Sequence, residues 1–457
     1  MARVKEYDVL VVGSGAGAIV VDQALARGLK VALVDKGPVG GTCLNLGCIP
    51  SKLLIYPADL IRQIKESEKL FIKSTLERVD FASIMNRMRR SVVESRRRIE
   101  EGLRADPRLD FYNATGHFIS DYTLEVGKQK IKGRKVFLAA GARPLIPKIE
   151  GLGGVDYLTN ETLLNLRERP ESLIIIGGGY IAAEYGHFFE AMGTKVTILQ
   201  RGERMIKDEE PEISQLLQEK LSWRLAVVLN TEAVLVKQEK KKVVVVGKDR
   251  QSGREKEYQA EEILIVAGRQ SNADLLKVGK SGIEVDERGY IKVNQYLEAS
   301  KENIWALGDI IGKKMFRHVA NEEAQIAWLN SQSLGHKHKV NYLAAPHAIF
   351  SWPQIASVGL TEAQAREAHD VLVGRAKYKD VVKGEAMAEE DGFAKIIIDR
   401  KSGKILGYHI IGPYAPSLIQ EVVTVMSIDG DVSLLARPMH IHPALSEVIL
   451  APLSNLR

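Results

Sequence analysis

Residues 40–52 read GGTCLNLGCIPSK, and they contain both cysteines of the 457-residue chain, Cys43 and Cys48. Residues five apart in a regular helix have Cα atoms about 8–9 Å apart, whereas a disulfide requires less than about 7 Å. A bond between the two thiols therefore requires a loop or a distorted first turn. The glycines permit such a backbone, and Pro50 suits the first turn of a following helix. We interpret the pair as a thiol couple that opens and closes, because a structural framework would need more cysteines and a metal site further ligands nearby.

Two further features favour a reactive Cys48. The thiol is expected near the N-terminus of the helix, where the dipole favours a thiolate. Lys52 follows one turn later on the same face and adds positive charge. The stretch resembles the redox-active motif of the flavin-dependent (class I) pyridine nucleotide–disulfide oxidoreductases, which include dihydrolipoyl dehydrogenase, glutathione and mycothione reductases and mercuric reductase. Further similarity extends from about residue 6 to residue 450.

A dinucleotide-binding turn precedes this stretch. An apolar strand at residues 7–12 leads into GSGAGA at 13–18, a helix follows, and the next strand ends at Asp35. Glycines let the backbone approach a pyrophosphate at a helix N-terminus, and the acid can bind ribose hydroxyls. The resemblance makes this the FAD site. It implies FAD-binding roles for Gly13, Gly15, Ala18, Asp35, Lys36, Gly41, Thr42, Lys52, Gly116, His117, Ala140, Gly141 and Asp309.

The same organisation returns after residue 172. The strand Leu173–Ile176 runs into GGGYIA at 177–182, and the next strand, Lys195–Leu199, ends at Gln200 and Arg201. The resemblance implies that this second unit binds NAD(P), that Tyr180 covers the flavin until nicotinamide displaces it, and that Glu184 pairs with Lys52. The residues expected at this site are Gly177, Gly179, Tyr180, Ile181, Glu184, Gln200, Arg201 and Gly268.

The end of this strand predicts which nucleotide is used. NAD-linked enzymes of this type usually carry an acid there, which binds the ribose hydroxyls and repels a 2′-phosphate. Here the position is the neutral Gln200, and Arg201 and Arg204 follow. We expect NADPH to be used and preferred over NADH. Solvated loop arginines are the alternative interpretation.

The C-terminal part has a different character, since short β-like runs alternate with helices from Ala345 onward. The resemblance implies a dimerisation domain and hence a homodimer. Near its end, HPALSE at 442–447 resembles the family's catalytic His–Glu motif. His442 is then the acid–base of thiol chemistry, a role that suits histidine near neutral pH. Glu447 fixes its tautomer if Pro443 starts a helix, and in the family this histidine serves the other subunit's active site.

These motifs predict an α/β protein with two Rossmann-like dinucleotide-binding domains and a C-terminal α+β dimerisation domain. The expected boundaries are 1–148 for the first part of the FAD-binding domain, 149–271 for the NAD(P)-binding domain, 272–343 for the second, central part of the FAD-binding domain, and 344–457 for the dimerisation domain. A chain of this length is expected to form two to four domains.

Composition narrows the functional classes. The net charge of +6, from 64 basic and 58 acidic residues, is small for this length and does not favour a nucleic-acid partner. A basic cluster at 87–104 is interpreted as a solvated helix face, with an electrostatic funnel for an anionic substrate as the alternative. No apolar run reaches the ~18–20 residues of a membrane span. We expect no metal site, no membrane partner and a cytoplasmic location, which suits a reducible thiol pair.

We expect an FAD-dependent oxidoreductase that passes electrons between NAD(P)H and a dithiol or disulfide through Cys43 and Cys48. By resemblance, Cys48 faces the flavin and Cys43 exchanges with the substrate. The dihydrolipoyl dehydrogenase type is favoured. An NADPH-dependent reductase of a small disulfide, of the glutathione or mycothione reductase type, is one alternative. Others are a mercuric reductase-like protein without the usual C-terminal cysteine pair and, from a different class, a flavin-bearing redox sensor or docking module.

Overall fold

The computed structural model describes residues 4–333 and 335–457. The chain divides into two compact units. The first comprises residues 1–51, 86–145 and 268–340, and the second comprises 52–85, 146–267 and 341–457. The expected α/β class is confirmed, because the first unit and part of the second are built on parallel sheets with helices in the crossovers.

The described residues form 21 strands. They are β1 (Lys5–Val12), β2 (Val31–Asp35), β3 (Leu109–Asn113), β4 (Gly116–Ser120), β5 (Thr123–Val126), β6 (Gln129–Leu138), β7 (Ala142–Pro144), β8 (Ser172–Ile176), β9 (Lys195–Leu199), β10 (Ala226–Val228), β11 (Thr231–Glu239), β12 (Lys242–Asp249), β13 (Glu255–Ala260), β14 (Glu262–Ile265), β15 (Arg269–Ser271), β16 (Ile304–Ala306), β17 (His347–Ile349), β18 (Ile355–Gly359), β19 (Val371–Lys377), β20 (Phe393–Asp399) and β21 (Ile405–Ile411).

Twelve α-helices lie in the same described ranges. They are α1 (Gly17–Ala26), α2 (Gly41–Asn45), α3 (Cys48–Lys65), α4 (Phe81–Arg104), α5 (Tyr180–Ala191), α6 (Pro211–Ser222), α7 (Arg317–Gln332), α8 (Glu362–Arg366), α9 (Val382–Ala386), α10 (Ala415–Leu418), α11 (Gln420–Ile428) and α12 (Ser433–Ala436). Short 3₁₀ helices cover Ser67–Leu70, Leu152–Gly154, Thr162–Asn165, Val278–Ser281, Gly308–Ile311, Tyr378–Asp380, Leu445–Ile449 and Ala451–Asn455.

The first unit is built on a seven-stranded sheet in the order β3-β2-β1-β6-β5-β4, with β16 beside β6. The strands β3, β2, β1, β6 and β16 run parallel, and β4 and β5 are antiparallel additions. Residues 9–12 of β1 are almost completely buried, as is usual for a parallel strand with both faces covered. The apolar run that predicted this strand is therefore the centre of the unit's core.

The second unit contains a four-stranded parallel sheet in the order β10-β9-β8-β14 and an antiparallel three-stranded sheet, β11-β12-β13. The isoleucine run of β8 and the helix α5 repeat the strand–turn–helix arrangement of β1 and α1. Residues 182–189 of α5 are all buried, so this helix is enclosed by the unit. The predicted internal repeat is thus present in the folded chain.

The C-terminal part of the second unit is an antiparallel sheet in the order β17-β18-β21-β20-β19. Its helix α8 begins after Thr361, because the Thr361 hydroxyl accepts the Gln364 backbone N–H and the Gln364 side chain accepts the Thr361 N–H. Such a capping box satisfies two backbone donors that a helix start leaves without partners.

The strand β6 ends at Leu138, and β16 ends at Ala306, because Gly308 adopts a φ of 73° and starts a 3₁₀ turn. One element differs from the sequence-based expectation. No helix begins at Pro443, since the next helical turn starts at Leu445.

Candidate active site

The two cysteines, both in the first unit, lie on either side of a break between two helices. Cys43 is in the short helix α2, and Cys48 is the first residue of α3. The left-handed backbone at Gly40, with a φ of 95°, and at Gly41, with a φ of 65°, turns the chain into α2. Both thiols are reduced, and the Cys43 side chain hydrogen bonds with that of Cys48. The predicted distortion thus brings together two thiols that a continuous helix would keep apart.

The two thiols have different surroundings. Cys43 is half-buried and Cys48 is exposed. The hydrogen bond with Cys48, followed by burial, raises the pKa of Cys43, and the nearby Arg317 guanidinium partly opposes this rise. In the reduced pair Cys43 therefore holds its proton to a higher pH than an ordinary cysteine does.

Asn45 holds the loop that carries the thiols. Its amide nitrogen donates to the carbonyls of Pro38, Val39 and Gly41, at 3.3, 2.9 and 3.0 Å. Its amide oxygen accepts a hydrogen bond of 3.0 Å from Arg96 Nε of α4. Asn45 is only 7 % exposed. Buried polar atoms need hydrogen-bond partners, and both polar atoms of its side chain have them.

The first glycine turn has the features of a phosphate-binding cradle. Gly13 has a φ of 104°, and a Cβ there would lie 2.2 Å from the Ala139 carbonyl oxygen. A Cβ on Gly41 would lie 2.8 Å from the Gly15 Cα, and one on Gly15 would lie 3.5 Å from Arg317 Nη1. The backbones of the turn and of the thiol loop therefore meet with no side chains between them, next to a guanidinium.

The predicted ribose acid is fixed at the end of β2. Asp35 Oδ2 accepts hydrogen bonds from the backbone N–H of Ser14 at 2.7 Å and from its hydroxyl at 2.5 Å. Asp35 Oδ1 accepts the Gly37 N–H at 2.9 Å. The carboxylate thus joins the glycine turn to the chain that follows β2 and remains partly accessible.

Asp309 is the second carboxylate of this unit. Its Oδ2 atom lies 3.3 Å from Arg269 Nε. Burial raises the pKa of Asp309, while Arg269 favours the charged form. Within the described chain Arg269 is its only recorded side-chain partner, which leaves oxygen lone pairs for a polyhydroxyl ligand.

Other predicted cofactor residues surround these groups. The Ala140 carbonyl accepts a hydrogen bond of 2.8 Å from Asn272 Nδ2, and that of Gly141 accepts the Asn272 N–H at 3.2 Å. His117 Nε2 lies 3.5 Å from Glu125, its cross-strand neighbour, so this side chain is engaged within the sheet. The remaining positions are Ala18 at the start of α1, Thr42 in α2, the exposed Lys36 and the buried Gly116.

These residues fit FAD. The Cβ-free contact of Gly15 and Gly41 beside Arg317 suits a pyrophosphate, Asp35 suits the adenosine ribose, and Asp309 suits the ribityl hydroxyls.

The second glycine turn reproduces the first. Gly177 has a φ of 127°, and a Cβ there would lie 2.4 Å from the Val266 carbonyl oxygen. The Gln200 side chain packs on Gly178, and its Nε2 atom donates to the Arg204 carbonyl at 3.0 Å. Gln200 therefore shapes the loop after β9, and Arg201 at its start is exposed.

Lys52 and Glu184 meet in the second unit, as the sequence predicted. Lys52 Nζ lies 2.7 Å from both carboxylate oxygens of Glu184. Glu184 Oε1 also accepts the Phe350 backbone N–H at 3.0 Å, and Lys52 Nζ lies 4.3 Å from the Phe350 ring centroid. Tyr180, one turn before Glu184 at the start of α5, is 37 % exposed, and Ile181 follows it.

His442 and Glu447 also form the predicted pair. His442 Nδ1 lies 2.8 Å from Glu447 Oε1, and Glu447 Oε2 accepts the Ala444 N–H at 3.0 Å. These two hydrogen bonds lower the pKa of Glu447, the bond with His442 being the stronger cause. The pair forms without a helix at Pro443, because the turn from Leu445 places Glu447 near both groups. His440 contacts Glu421 instead, which agrees with a structural role.

Sequence reasoning missed several residues of these arrangements. Asn45 lies inside the cysteine motif, and only its three carbonyl partners reveal its role. Arg317 lies about 300 residues after Gly15 along the chain, and its position beside that glycine follows from the fold. Phe350 contributes its backbone N–H, and Asn272 contributes its side-chain amide and backbone N–H. Such contacts correspond to no recognisable motif in a single sequence. The described residues contain no group of acidic, histidine or cysteine side chains suited to a metal.

No helix among the described residues is long and apolar enough to cross a membrane.

Residues 7–324 match the family described as pyridine nucleotide-disulphide oxidoreductase, and residues 345–452 match its dimerisation domain.

Relatives with different substrates show similar identities. A mycothione reductase from Mycobacterium tuberculosis is 34 % identical over 99 % of each chain. A mercuric reductase from Staphylococcus aureus is 33 % identical over 91 % of this chain and 76 % of its own. A dihydrolipoyl dehydrogenase from Geobacillus stearothermophilus is 34 % identical over 97 % of this chain and 95 % of its own.

A solved structure shares the fold along the whole chain. The HOCl-induced flavoprotein disulfide reductase RclA from Escherichia coli superimposes with a TM-score of 0.86 and 29 % identity, over 98 % of this chain and 99 % of that chain.

Proposed function

The chain belongs to the pyridine nucleotide-disulphide oxidoreductase family, and from this premise we propose that it is an NADPH-linked reductase of a low-molecular-weight disulfide. Members of the family use FAD and a nicotinamide nucleotide. The dimerisation domain indicates a homodimer. The observation that carries the disulfide chemistry is the hydrogen-bonded pair of thiols, Cys43 and Cys48, on one loop of the first unit.

The thiols carry out the exchange. In the reduced enzyme the Cys43 sulfur, as thiolate, attacks one sulfur of the substrate disulfide; a mixed disulfide forms and one substrate thiolate leaves. The Cys48 thiolate then attacks the Cys43 sulfur, the internal disulfide forms and the second substrate thiolate leaves. When bound, FAD supplies the two electrons, received as hydride from the nicotinamide nucleotide, that reduce this disulfide again.

His442 moves the protons. Its Nδ1 atom faces Glu447, so Nε2 is the nitrogen that accepts the proton of Cys43 and returns it to the leaving substrate thiolate. The Glu447 carboxylate, through its hydrogen bond with Nδ1, holds the ring in this orientation. Nε2 has no recorded partner in the described part of the chain and can serve this role.

The choice of NADPH rests on the loop after β9. An acid at position 200 would repel a 2′-phosphate, and here the amide of Gln200 binds the Arg204 carbonyl instead. Arg201 is exposed and Arg204 partly exposed. A charge-assisted hydrogen bond to phosphate contributes about 1.5–3 kcal/mol, or about ten- to a hundred-fold in binding.

The dihydrolipoyl dehydrogenase type is the second candidate. The HPALSE motif and the relative from Geobacillus stearothermophilus favour it, whereas Gln200 argues against an NAD-linked enzyme. The mercuric reductase type is a third candidate, on the strength of the relative from Staphylococcus aureus. A redox sensor would not require an acid–base pair such as His442 and Glu447. We also propose a cytoplasmic location, where a reducible thiol pair is maintained.

A panel of substrates and nucleotides tests the proposal. We expect rapid turnover of a small disulfide with NADPH, a higher kcat/KM for NADPH than for NADH at fixed ionic strength, and slow turnover of lipoamide. In Arg201→Ala the ratio of kcat/KM for NADPH to kcat/KM for NADH should fall about tenfold or more. A preference for NADH with rapid lipoamide turnover supports the dihydrolipoyl dehydrogenase type, and negligible turnover of every disulfide supports the sensor.

A further inference from the structure

A hairpin far along the sequence borders the expected 2′-phosphate position. In an open parallel sheet, ligands bind outside the carboxyl ends of the strands. The strand β10 pairs with β9 in parallel, so its carboxyl end, at Val228, lies beside the Leu199 end of β9. The chain then enters β11, which pairs with β12, and the turn between β12 and β13 carries Arg250.

Hydrogen bonds join this region to the loop after β9. The backbone N–H of Thr231 donates to the Gln200 carbonyl at 2.9 Å, and that of Asn230 donates to the Gly202 carbonyl at 2.9 Å. Asn230 in turn accepts the Arg250 backbone N–H at 2.7 Å. Arg250 Nη1 donates to the Arg201 carbonyl at 3.3 Å. Arg250 therefore lies beside the predicted nucleotide loop, held there by its backbone N–H and in contact with it through one guanidinium nitrogen.

Arg250 retains most of its hydrogen-bonding capacity. Its side chain is exposed, and the bond to the Arg201 carbonyl is its only recorded side-chain contact in the described chain. A guanidinium has five N–H donors in a planar fork that matches phosphate oxygens. Arg204, by contrast, already donates one N–H to the Lys207 carbonyl at 2.7 Å.

The charges around Arg250 favour an anion. Arg201 and Arg204 contribute two further positive charges. The loop between β9 and α6 also carries the acids Glu203, Asp208, Glu209 and Glu210. Asp208 lies 3.9 Å from Lys207, and the buried Glu209 and Glu210 pair with His347 and Lys395. The other nearby acid is Asp249, whose Oδ1 atom accepts the N–H groups of Gln251 and Ser252 and the Ser252 hydroxyl. This carboxylate is thus engaged in its own turn. Glu203 is the loop acid with no cation partner in the described chain, and together with Arg201, Arg204 and Arg250 it leaves a net positive charge.

We propose that Arg250 is a further specificity-determining residue, which binds the 2′-phosphate of NADPH together with the loop after β9. The proposal rests on the proposed use of NADPH. It assigns part of the nucleotide preference to a hairpin that lies about fifty residues after the loop along the chain.

The test is calorimetric binding of 2′,5′-ADP and 5′-AMP to the FAD-loaded protein, which needs no turnover. The two ligands differ by the 2′-phosphate alone. We expect Arg250→Ala to weaken the binding of 2′,5′-ADP about tenfold and to leave the binding of 5′-AMP unchanged. The factor is at the lower end of the range for a charge-assisted hydrogen bond, because the arginine is exposed. Arg254→Ala is the matched control, because it removes an exposed arginine of the same turn. It should change neither affinity.

The outcomes separate the two claims. If the unmodified protein binds 2′,5′-ADP more tightly than 5′-AMP while Arg250→Ala behaves like Arg254→Ala, the role of Arg250 is refuted and NADPH use stands. If the unmodified protein binds both ligands equally, NADPH use fails and the role of Arg250 with it. If Arg250→Ala weakens the binding of both ligands equally, the substitution has disturbed the loop, and recognition of the 2′-phosphate by Arg250 is refuted.

Discussion

The imidazole of His442 is fixed at one nitrogen and open at the other. Glu447 binds Nδ1 at 2.8 Å, and the His442 side chain is 69 % exposed. We predict that His442→Ala slows the reaction of the thiols with disulfide by about 10²–10⁴, the usual contribution of a general acid–base. Reduction by NADPH should remain nearly unchanged. Stopped-flow spectroscopy of the two half-reactions measures both.

A second histidine–carboxylate pair provides the control. His369 Nδ1 lies 2.6 Å from Asp399 on the surface of the same unit. His369→Ala removes a similar pair and should alter neither half-reaction. If His442→Ala slows the NADPH step alone, His442 does not move the protons of thiol exchange.

At the scale of elements, a row of polar pairs joins α3 to α5 within the second unit. Lys52 pairs with Glu184, Asp59 with His187 at 2.8 Å, and Arg62 with Glu190 at 3.5 Å. Burial lowers the pKa of His187, so its bond with Asp59 does not require a charged imidazole. The row fixes the register of the helix that begins at Cys48.

We predict that Lys52→Met destabilises the FAD-loaded protein by about 1–3 kcal/mol, because it leaves the buried Glu184 carboxylate without its cation. The value is below that of a fully buried pair, since the Lys52 side chain is 33 % exposed. Lys52→Met with Glu184→Gln should recover part of the loss. Urea unfolding measures all three proteins.

The exposed pair of Arg97 and Glu101 on α4 is the control for this prediction. Arg97→Met should change stability by less than about 1 kcal/mol, as is usual for surface pairs. Equal effects of Lys52→Met and Arg97→Met would mean that the row of pairs does not hold α3 to α5.

Elements with strong local signals were predictable from sequence. The strand β9 has the predicted bounds, and β2 ends at Asp35 as predicted, because short apolar runs define both strands. The start of α2 and the end of β16 were not predictable to the residue. Both depend on glycine backbone angles that the surrounding chain selects, at Gly40 and Gly308.

The candidate site was predictable where its chemistry lies in a motif. The pairs Lys52–Glu184 and His442–Glu447 were expected and are present. Arg250 was not, since its position beside Arg201 depends on the pairing of strands that no local pattern encodes. Contacts between segments that are distant along the chain depend on the fold. They can be predicted from one sequence only where the sequence resembles a family whose fold is known.

At the scale of the whole molecule, the dimer predicts how the sites are shared. His442 is largely exposed in a single chain, as expected if it serves the partner's site, and a symmetric dimer has two equivalent sites. We predict that heterodimers of one Cys43→Ser chain and one His442→Ala chain have about half of wild-type activity. One of their two sites is then intact. Tandem affinity tags isolate the heterodimers.

Homodimers of each variant provide the controls: Cys43→Ser should be inactive, and His442→Ala should be slower than the wild type by about 10²–10⁴. An inactive heterodimer would contradict the shared site, because each site would then take both residues from one chain.

The central claim is that Cys43 and Cys48 form a redox couple in addition to the flavin. An anaerobic reductive titration of the FAD-loaded protein tests this most directly. The wild type should take up roughly two electrons per chain more than Cys43→Ser or Cys48→Ser, because a disulfide is a two-electron couple. The same uptake in all three proteins would contradict the account, since the thiols would then store no electrons.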